Sequence, residues 1–196
     1  FSLIGNLISS QHSADPYNQA ERLCTYAFLQ GHEALLAGHN KQWAKLWESN
    51  IEIEGDAQAN QDIHNMLYHL YASVSELHSF SLSPYGLSHT GYMGHIFWDT
   101  EMWMYPPLLL LHPEIAKNLL NYRYQRLERA QHNAALHGYQ GAMFPWESAT
   151  SGEEDTPVWA LTGTYEHHIT ADVAIAVWNY YCVTKDKEWL RHIGYP

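Results

Sequence analysis

The feature that most constrains the fold is a succession of apolar stripes with helical spacing and very little alternation. Apolar residues three and four positions apart predict helices over residues 17–36, 42–48, 60–77, 100–111, 113–137 and 170–183. Asp15-Pro16 marks the first start, because Asp is a favoured N-cap and Pro fits the first helical position. Gly38 and His39 are expected to end that helix. The sequence predicts an all-α protein, with 50–55 as a short strand or extended link and a last turn over 186–192.

Two long loops, 79–98 and 138–165, interrupt this helical pattern and are rich in Gly and Pro. Loops longer than about 15 residues are usually functional. Paired antiparallel helices with functional loops at one end are typical of an α/α toroid. The last residues, Gly194-Tyr195-Pro196, resemble a loop within a domain. We therefore expect residues 1–196 to form a single domain that is an incomplete segment of such a toroid.

Charge and hydropathy exclude several classes of partner. The net charge is -11 and the 10 Lys and Arg do not cluster, which disfavours nucleic acid. The densest apolar stretch, 102–111, is too short for a membrane span and contains Pro106 and Pro107, so no membrane partner is expected. Cys24 and Cys182 are too few for a disulfide scaffold and are expected to be buried thiols. The compartment and a homodimeric assembly stay open, with a periplasmic or extracellular location slightly favoured.

Three segments carry the candidate chemistry: 94–101, 141–148 and 165–172, each close to the start of a predicted helix. Two of them contain a Trp followed directly by an acid, Trp98-Asp99 and Trp146-Glu147. An aromatic plane can cover the apolar face of a pyranose while a carboxylate accepts hydrogen bonds from neighbouring hydroxyls, so these pairs suit a sugar site. The alternative is an acidic N-cap beside a core Trp.

Glu166, in the third segment, is the candidate general acid, because breaking a glycosidic bond requires a protonated carboxyl group. Nearby apolar residues and carboxylates are expected to favour its protonated form. The alternative is a first-turn Glu stabilised by the helix dipole. A metal site built from Glu166, His167 and His168 is the other reading. However, the chain has no His-Glu-x-x-His helix, Cys pair or acidic calcium loop, so no metal and no cofactor are predicted.

Taken together, segments 97–101, 139–148 and 166–170 resemble glycoside hydrolase family 65, with clear similarity from about 91 to 189. This family includes maltose, trehalose and kojibiose phosphorylases, acid trehalases and related α-glucosidases, and its central domain is an (α/α)6 barrel. The resemblance implies that Glu166 is the general acid. It also implies that four residues line the pocket for the non-reducing glucose: Trp98, Asp99, Trp146 and Glu147. His168 and Thr170 match the motif around the acid, and the resemblance implies supporting roles for both.

The resemblance also implies an inverting reaction on a small α-linked glucosyl disaccharide or oligosaccharide. In hydrolases of the family, a general-base carboxylate lies further along the chain, whereas phosphorylases have a phosphate-binding loop in that region. Phosphorylases typically show Tyr-His-Val-Asn after the acid, and the run 167–170 is closer to the hydrolase branch. The leading hypothesis is therefore a hydrolase. The alternatives are a phosphorylase that releases β-glucose 1-phosphate, and a sugar-binding or inert chain that lacks the base.

Overall fold

The computed structural model describes residues 3–10, 12–76 and 78–196. Leu77, where the predicted third helix ends, lies outside the described residues. The chain divides into two compact units, residues 1–49 and residues 50–196, and the candidate site lies entirely in the second.

The first unit is built on α1 (Pro16–Leu46), which begins as predicted, with the Asp15 carboxylate accepting from the Asn18 amide. The predicted break at Gly38 and His39 is wrong, because the helix continues through both residues. The interruption lies instead at Gly31, with φ 77° and ψ 166°. Without a Cβ, glycine adopts this positive φ at little steric cost. Gly31 has this conformation, whereas Gly38 is helical.

The second unit begins with an extended link rather than a strand over 50–55. The Ile53 amide in this link donates to the Asn60 side chain over 2.8 Å, which ties the link to α2 (Ala57–Ala72). Asp56 caps α2 by accepting from the Ala59 amide over 3.0 Å. Leu67 and Tyr71 are the buried residues of this helix.

The predicted helix over 113–137 is two helices, α4 (Pro113–Tyr124) and α5 (Leu127–Leu136). They follow a π-helical turn, Thr100–Met104, that continues into α3 (Tyr105–Leu111). The break falls at Arg126, which has the non-helical angles φ -114° and ψ 12°. Its guanidinium lies 3.7 Å over the Tyr122 ring and donates to the carbonyls of Tyr122 and Thr150, over 3.0 Å in each case. The Arg126 side chain thus supplies the hydrogen bond that an uninterrupted helix would have supplied from its backbone.

The remaining helices are α6 (Thr162–Tyr165), α7 (Ile169–Thr184) and α8 (Lys187–Trp189), followed by a second π-helical turn, Leu190–Gly194. The core of the unit forms where α7 packs against α3 and α4. The Tyr105 hydroxyl crosses this interface and donates to the Ala176 carbonyl over 3.1 Å. Buried residues of the three helices include Tyr105, Leu108, Ile115, Leu119, Leu120, Val173, Ala176 and Tyr180.

The all-α prediction is confirmed, since over the described ranges the only β-type pairing is an isolated antiparallel bridge between Ile96 and Ser148. None of the helices in these ranges is both long and apolar enough to cross a membrane. The two thiols are free, but Cys24 is only half-buried and Cys182 is exposed, so the expectation that both are buried is wrong.

Candidate active site

The bridge between Ile96 and Ser148 joins the two long loops that carry the Trp-acid pairs. The Ile96 amide donates to the Ser148 carbonyl over 2.8 Å, and the Ser148 amide donates back over 3.0 Å. The Tyr122 hydroxyl of α4 donates to the Ala149 carbonyl over 2.7 Å and thereby anchors the second loop to α4. Residues that are about 50 positions apart in sequence are thereby brought side by side.

Two indole rings face each other across this junction. The ring centroids of Trp98 and Trp146 lie 6.2 Å apart with their planes inclined at 47°. Both rings are half-buried and pack against the core cluster formed by Ala130, Phe144, Ile169 and Val173. The core fixes one side of each ring while part of its surface stays accessible, which is the arrangement that a sugar-stacking platform needs.

The two acids that follow these Trp residues differ in their surroundings. Glu147 is buried, and its Oε1 lies 2.7 Å from His95 Nδ1. Asp99 is half-buried and accepts no hydrogen bond from the residues that the structure describes. It stands before the π-helical turn but makes no side-chain cap, so the N-cap reading of this acid is not supported. The Asp99 carboxylate therefore remains available to hydroxyl donors.

Glu154 organises the second loop and was not predicted from the sequence, where it reads as one of three consecutive acids. Its carboxylate accepts from the amides of Trp146, Glu147 and Thr156, over 2.7, 3.3 and 3.1 Å. The Thr156 hydroxyl adds a further bond of 2.5 Å. A carboxylate held by backbone amides in this way fixes the loop conformation, and with it the direction of the Trp146 ring.

Glu166 lies in the short connection between α6 and α7, three positions before the first residue of α7. It is therefore not a first-turn residue of that helix, which removes the dipole-based alternative. Its side chain is 47% exposed, so the burial expected around it is not provided by the described residues. The Glu166 carboxyl group is open to a bound molecule, and its Oε2 lies 3.6 Å from His168 Nε2.

His168 connects the third segment to the two Trp residues. Its ring stands nearly perpendicular to both indoles, with centroid distances of 4.8 Å to Trp98 and 5.7 Å to Trp146. On its other side, Nδ1 lies 2.6 Å from Asp172 Oδ2. The neighbouring His167 points elsewhere, with Nε2 2.8 Å from the Thr164 carbonyl. The three predicted segments thus meet at one imidazole ring.

Thr170 makes a second link between the third segment and the loop that carries Trp146. Its Oγ1 accepts from the Phe144 amide over 3.0 Å. Because Thr170 lies in the first turn of α7, this bond ties the loop to a rigid helix. Thr170 therefore contacts the backbone of this loop, and its supporting role in the site stays a prediction.

A buried ion pair contacts the first loop and was also not predicted from the sequence. Arg123 Nε and Nη2 lie 2.7 and 2.9 Å from the two Glu101 oxygens, and Nη2 also donates to the Phe97 carbonyl over 3.1 Å. Burial lowers the pKa of the Arg123 guanidinium, but the charge and hydrogen bonds of Glu101 outweigh burial, so the pKa is raised overall. The sequence signal that could have indicated this ion pair is an arginine within the apolar stripe of α4.

Two further features bear on where the site lies. Among the described residues, no three His, Cys, Asp or Glu side chains are grouped so that they could hold a metal ion. A cavity of about 430 Å³ is lined mainly by apolar residues of α4, α7 and the C-terminal turn, and Thr170 is the only predicted site residue that lines it. We therefore place the candidate site at the junction of the three segments and not in this cavity.

Comparisons with known proteins point to the same part of the chain. The model of the glycosyl hydrolase family 65 central catalytic domain matches residues 64–196. The chain is 63% identical over 196 residues to a kojibiose hydrolase of Flavobacterium johnsoniae. The aligned region covers 100% of this chain and 29% of that protein. It is 44% identical over 182 residues to a kojibiose phosphorylase of Thermoanaerobacter brockii, covering 86% of this chain and 24% of that protein.

The fold has a counterpart among solved structures. A protein from the human microbiome, assigned as a kojibiose phosphorylase, superposes on this chain with a TM-score of 0.84 at 24% sequence identity. The superposition covers 92% of this chain and 25% of that protein. This likeness agrees with the predicted segment of an (α/α)6 barrel. The chain spans only 29% of the length of the kojibiose hydrolase that it matches.

Proposed function

The chain belongs to glycoside hydrolase family 65, and on that basis we propose that the protein carrying it hydrolyses an α-linked glucose disaccharide by inversion, with kojibiose as the leading substrate. The family supports a carbohydrate substrate, and the 63% identity to a kojibiose hydrolase favours kojibiose as the sugar. Three segments that are distant in sequence meet at His168, and this single observation supports the location of the site.

The arrangement suits the recognition of a non-reducing glucose. The indoles of Trp98 and Trp146 offer apolar surface for the sugar ring, and Asp99 offers a carboxylate that accepts no hydrogen bond from the described residues. Glu147, whose amide donates to Glu154, carries a second carboxylate, which is buried and lies 2.7 Å from His95 Nδ1. Stacking combined with charge-assisted hydrogen bonds would fix both the face and the orientation of the glucose.

In the proposed reaction, Glu166 transfers its proton to the glycosidic oxygen while the bond between that oxygen and the anomeric carbon breaks. A water oxygen bonds to the anomeric carbon on the opposite face, and the water gives up a proton to a second carboxylate about 6.5–9.5 Å from the acid. The family resemblance implies a base further along the chain than Glu166. Glu147 and Asp172 are paired with His95 and His168, which favours binding or positioning roles for these acids.

A phosphorylase is the second candidate, supported by the 44% identity to a kojibiose phosphorylase. In that reaction phosphate attacks the anomeric carbon directly, no base is needed, and β-glucose 1-phosphate is the product. The higher identity to a hydrolase, together with the sequence at 167–170, favours water as the nucleophile.

The test is product analysis with the whole protein and with residues 1–196 alone, using kojibiose, nigerose, trehalose and maltose with and without phosphate. We expect glucose from kojibiose without phosphate. Strictly phosphate-dependent glucose 1-phosphate would establish the phosphorylase instead. Activity of the whole protein with none from 1–196 alone would show that this chain lacks half of the mechanism.

Glu166→Gln tests the acid itself. We expect this substitution to lower kcat on kojibiose by about 10²–10⁴-fold, the usual contribution of general acid catalysis, and to leave sugar binding in place. Glu128→Gln, at an exposed position of α5, is the matched control and should retain wild-type activity. Full activity of Glu166→Gln would reject the acid assignment.

A further inference from the structure

We propose that His168, held by Asp172, is a positioning residue that orients the carboxyl group of Glu166 for proton transfer, an inference that rests on the proposed function. The geometry consists of a chain of three side chains. Asp172 Oδ2 lies 2.6 Å from His168 Nδ1, and His168 Nε2 lies 3.6 Å from Glu166 Oε2.

Asp172 fixes which nitrogen of the ring faces Glu166. It lies in the first turn of α7, four positions after His168, and is buried. A carboxylate accepts but cannot donate, so Nδ1 must carry a proton and donate it to Asp172. The opposite nitrogen, Nε2, is thereby directed at Glu166.

The two indoles restrict the remaining motion of the ring. Its plane stands at 89° to the Trp98 ring and 87° to the Trp146 ring. A rotation about the side-chain torsions would break the Asp172 bond and both edge-to-face contacts together. His168 is therefore held by the same aromatic side chains that would stack on the sugar, which couples the sugar platform to the acid.

The charges that face His168 come from Glu166 and Asp172. Asp172 also acts electrostatically on Arg123, which is itself paired with Glu101. In its imidazolium form the ring donates Nδ1–H to Asp172 and can donate Nε2–H to Glu166 Oε2. Closing the 3.6 Å separation to hydrogen-bonding distance requires only a small movement of the exposed Glu166 side chain.

This contact gives the two Glu166 oxygens different tasks. With Oε2 held by the ring, Oε1 carries the proton and faces the leaving oxygen. When the ring is an imidazolium, the negative charge that develops on Glu166 as that proton is transferred lies next to a cation that Asp172 holds in place. The interaction is stronger in the transition state than in the ground state, which is the condition for accelerating the reaction.

The test compares two substrates that differ in their need for the proton. The sugar leaving group of kojibiose must be protonated, whereas fluoride departs from α-glucosyl fluoride with far less assistance. For His168→Gln and Asp172→Asn in the whole protein, we expect kcat/KM on kojibiose to fall about 10–100-fold, as misplaced catalytic groups commonly show. We expect KM for kojibiose and kcat/KM on the fluoride to remain close to the wild-type values.

His167→Gln is the matched control, since the neighbouring ring contacts the Thr164 carbonyl and the Tyr139 ring instead. It should leave both substrates unaffected. An equal loss on the two substrates in His168→Gln would overturn the proposal and reduce the ring to a packing role. Unchanged activity of His168→Gln on both substrates would also overturn the proposal.

Glu166→Gln, measured on the same two substrates, separates this inference from the proposed function. If Glu166→Gln loses activity selectively on kojibiose while the His168 and Asp172 variants do not, only the positioning role fails. If Glu166→Gln keeps its activity on kojibiose, the proposed function fails. Asp172→Asn preserves side-chain shape, so it provides the answer even if His168→Gln does not fold.

Discussion

Neutralising Glu101 gives the sharpest test of how the site is supported. Glu101→Gln keeps the shape of the side chain but removes the negative charge opposite Arg123. Both side chains are almost fully buried, with 1% and 2% exposed. The substitution therefore creates no cavity. It leaves the Arg123 guanidinium buried away from water without a counter-charge.

The magnitude follows from the cost of a buried charge that has lost its partner. Removing one partner of a buried pair typically destabilises a protein by about 3–5 kcal/mol, far more than the pair contributes relative to apolar residues. The bidentate geometry, with separations of 2.7 and 2.9 Å, puts Glu101→Gln within that range. Because Arg123 also holds the Phe97 carbonyl, we expect weaker sugar binding by the adjacent Trp98 as well.

The assay is urea unfolding of the whole protein, following the transition that contains this domain. Glu114→Gln is the control, since Glu114 is exposed on α4 and lies 4.0 Å from Lys117, and it should cost less than about 1 kcal/mol. The double variant Glu101→Leu with Arg123→Met should recover most of the loss, because it removes both charges. A loss in Glu101→Gln as small as in the control would refute the reasoning.

Three further predictions concern the sugar loop and the last helix. Trp146→Ala should weaken glucose binding by roughly 1–3 kcal/mol in calorimetric titration, and unchanged affinity would return Trp146 to a packing role. Glu154→Gln should weaken the same binding by about 1–2 kcal/mol with an unchanged far-ultraviolet spectrum, whereas full affinity would mean that the loop holds its shape without the carboxylate. A hydrogen bond from the Trp189 amide lowers the pKa of Asp186, so Asp186 stabilises the folded state above its ordinary pKa and this stabilisation is lost as the pH falls through the lowered value. Asp186→Asn should therefore flatten the stability curve below about pH 4, and an unchanged acid slope would contradict this.

The sequence predicted the helices well where the determinants are local. Asp15-Pro16 began α1 as expected, because a cap and a fixed φ depend on neighbouring residues only. The position of the break in α1 was wrong, since Gly31 and Gly38 are equally capable of interrupting a helix. The break at Arg126 was not predicted, and the Arg126 side chain there donates to the Thr150 carbonyl in a loop 24 residues away.

The sequence also predicted the residues that carry the candidate chemistry. Residue types and short spacings indicated the two Trp-acid pairs, whereas the family resemblance indicated Glu166 as the general acid, and these assignments stay predictions. The i,i+4 spacing of His168 and Asp172 was equally present in the sequence, but the spacing does not tell which side of the ring would face Glu166.

How these residues combine depends on long-range packing. The pairing of His95 with Glu147 spans 52 positions, and that of Arg123 with Glu101 spans 22. The Glu154 carboxylate reaches back to the amide of Trp146. Periodicity and capping reflect interactions within a few residues, whereas these contacts form only when helices pack and bring separate loops together. Local sequence specifies which groups are present and on which elements they lie, and packing determines which of them meet.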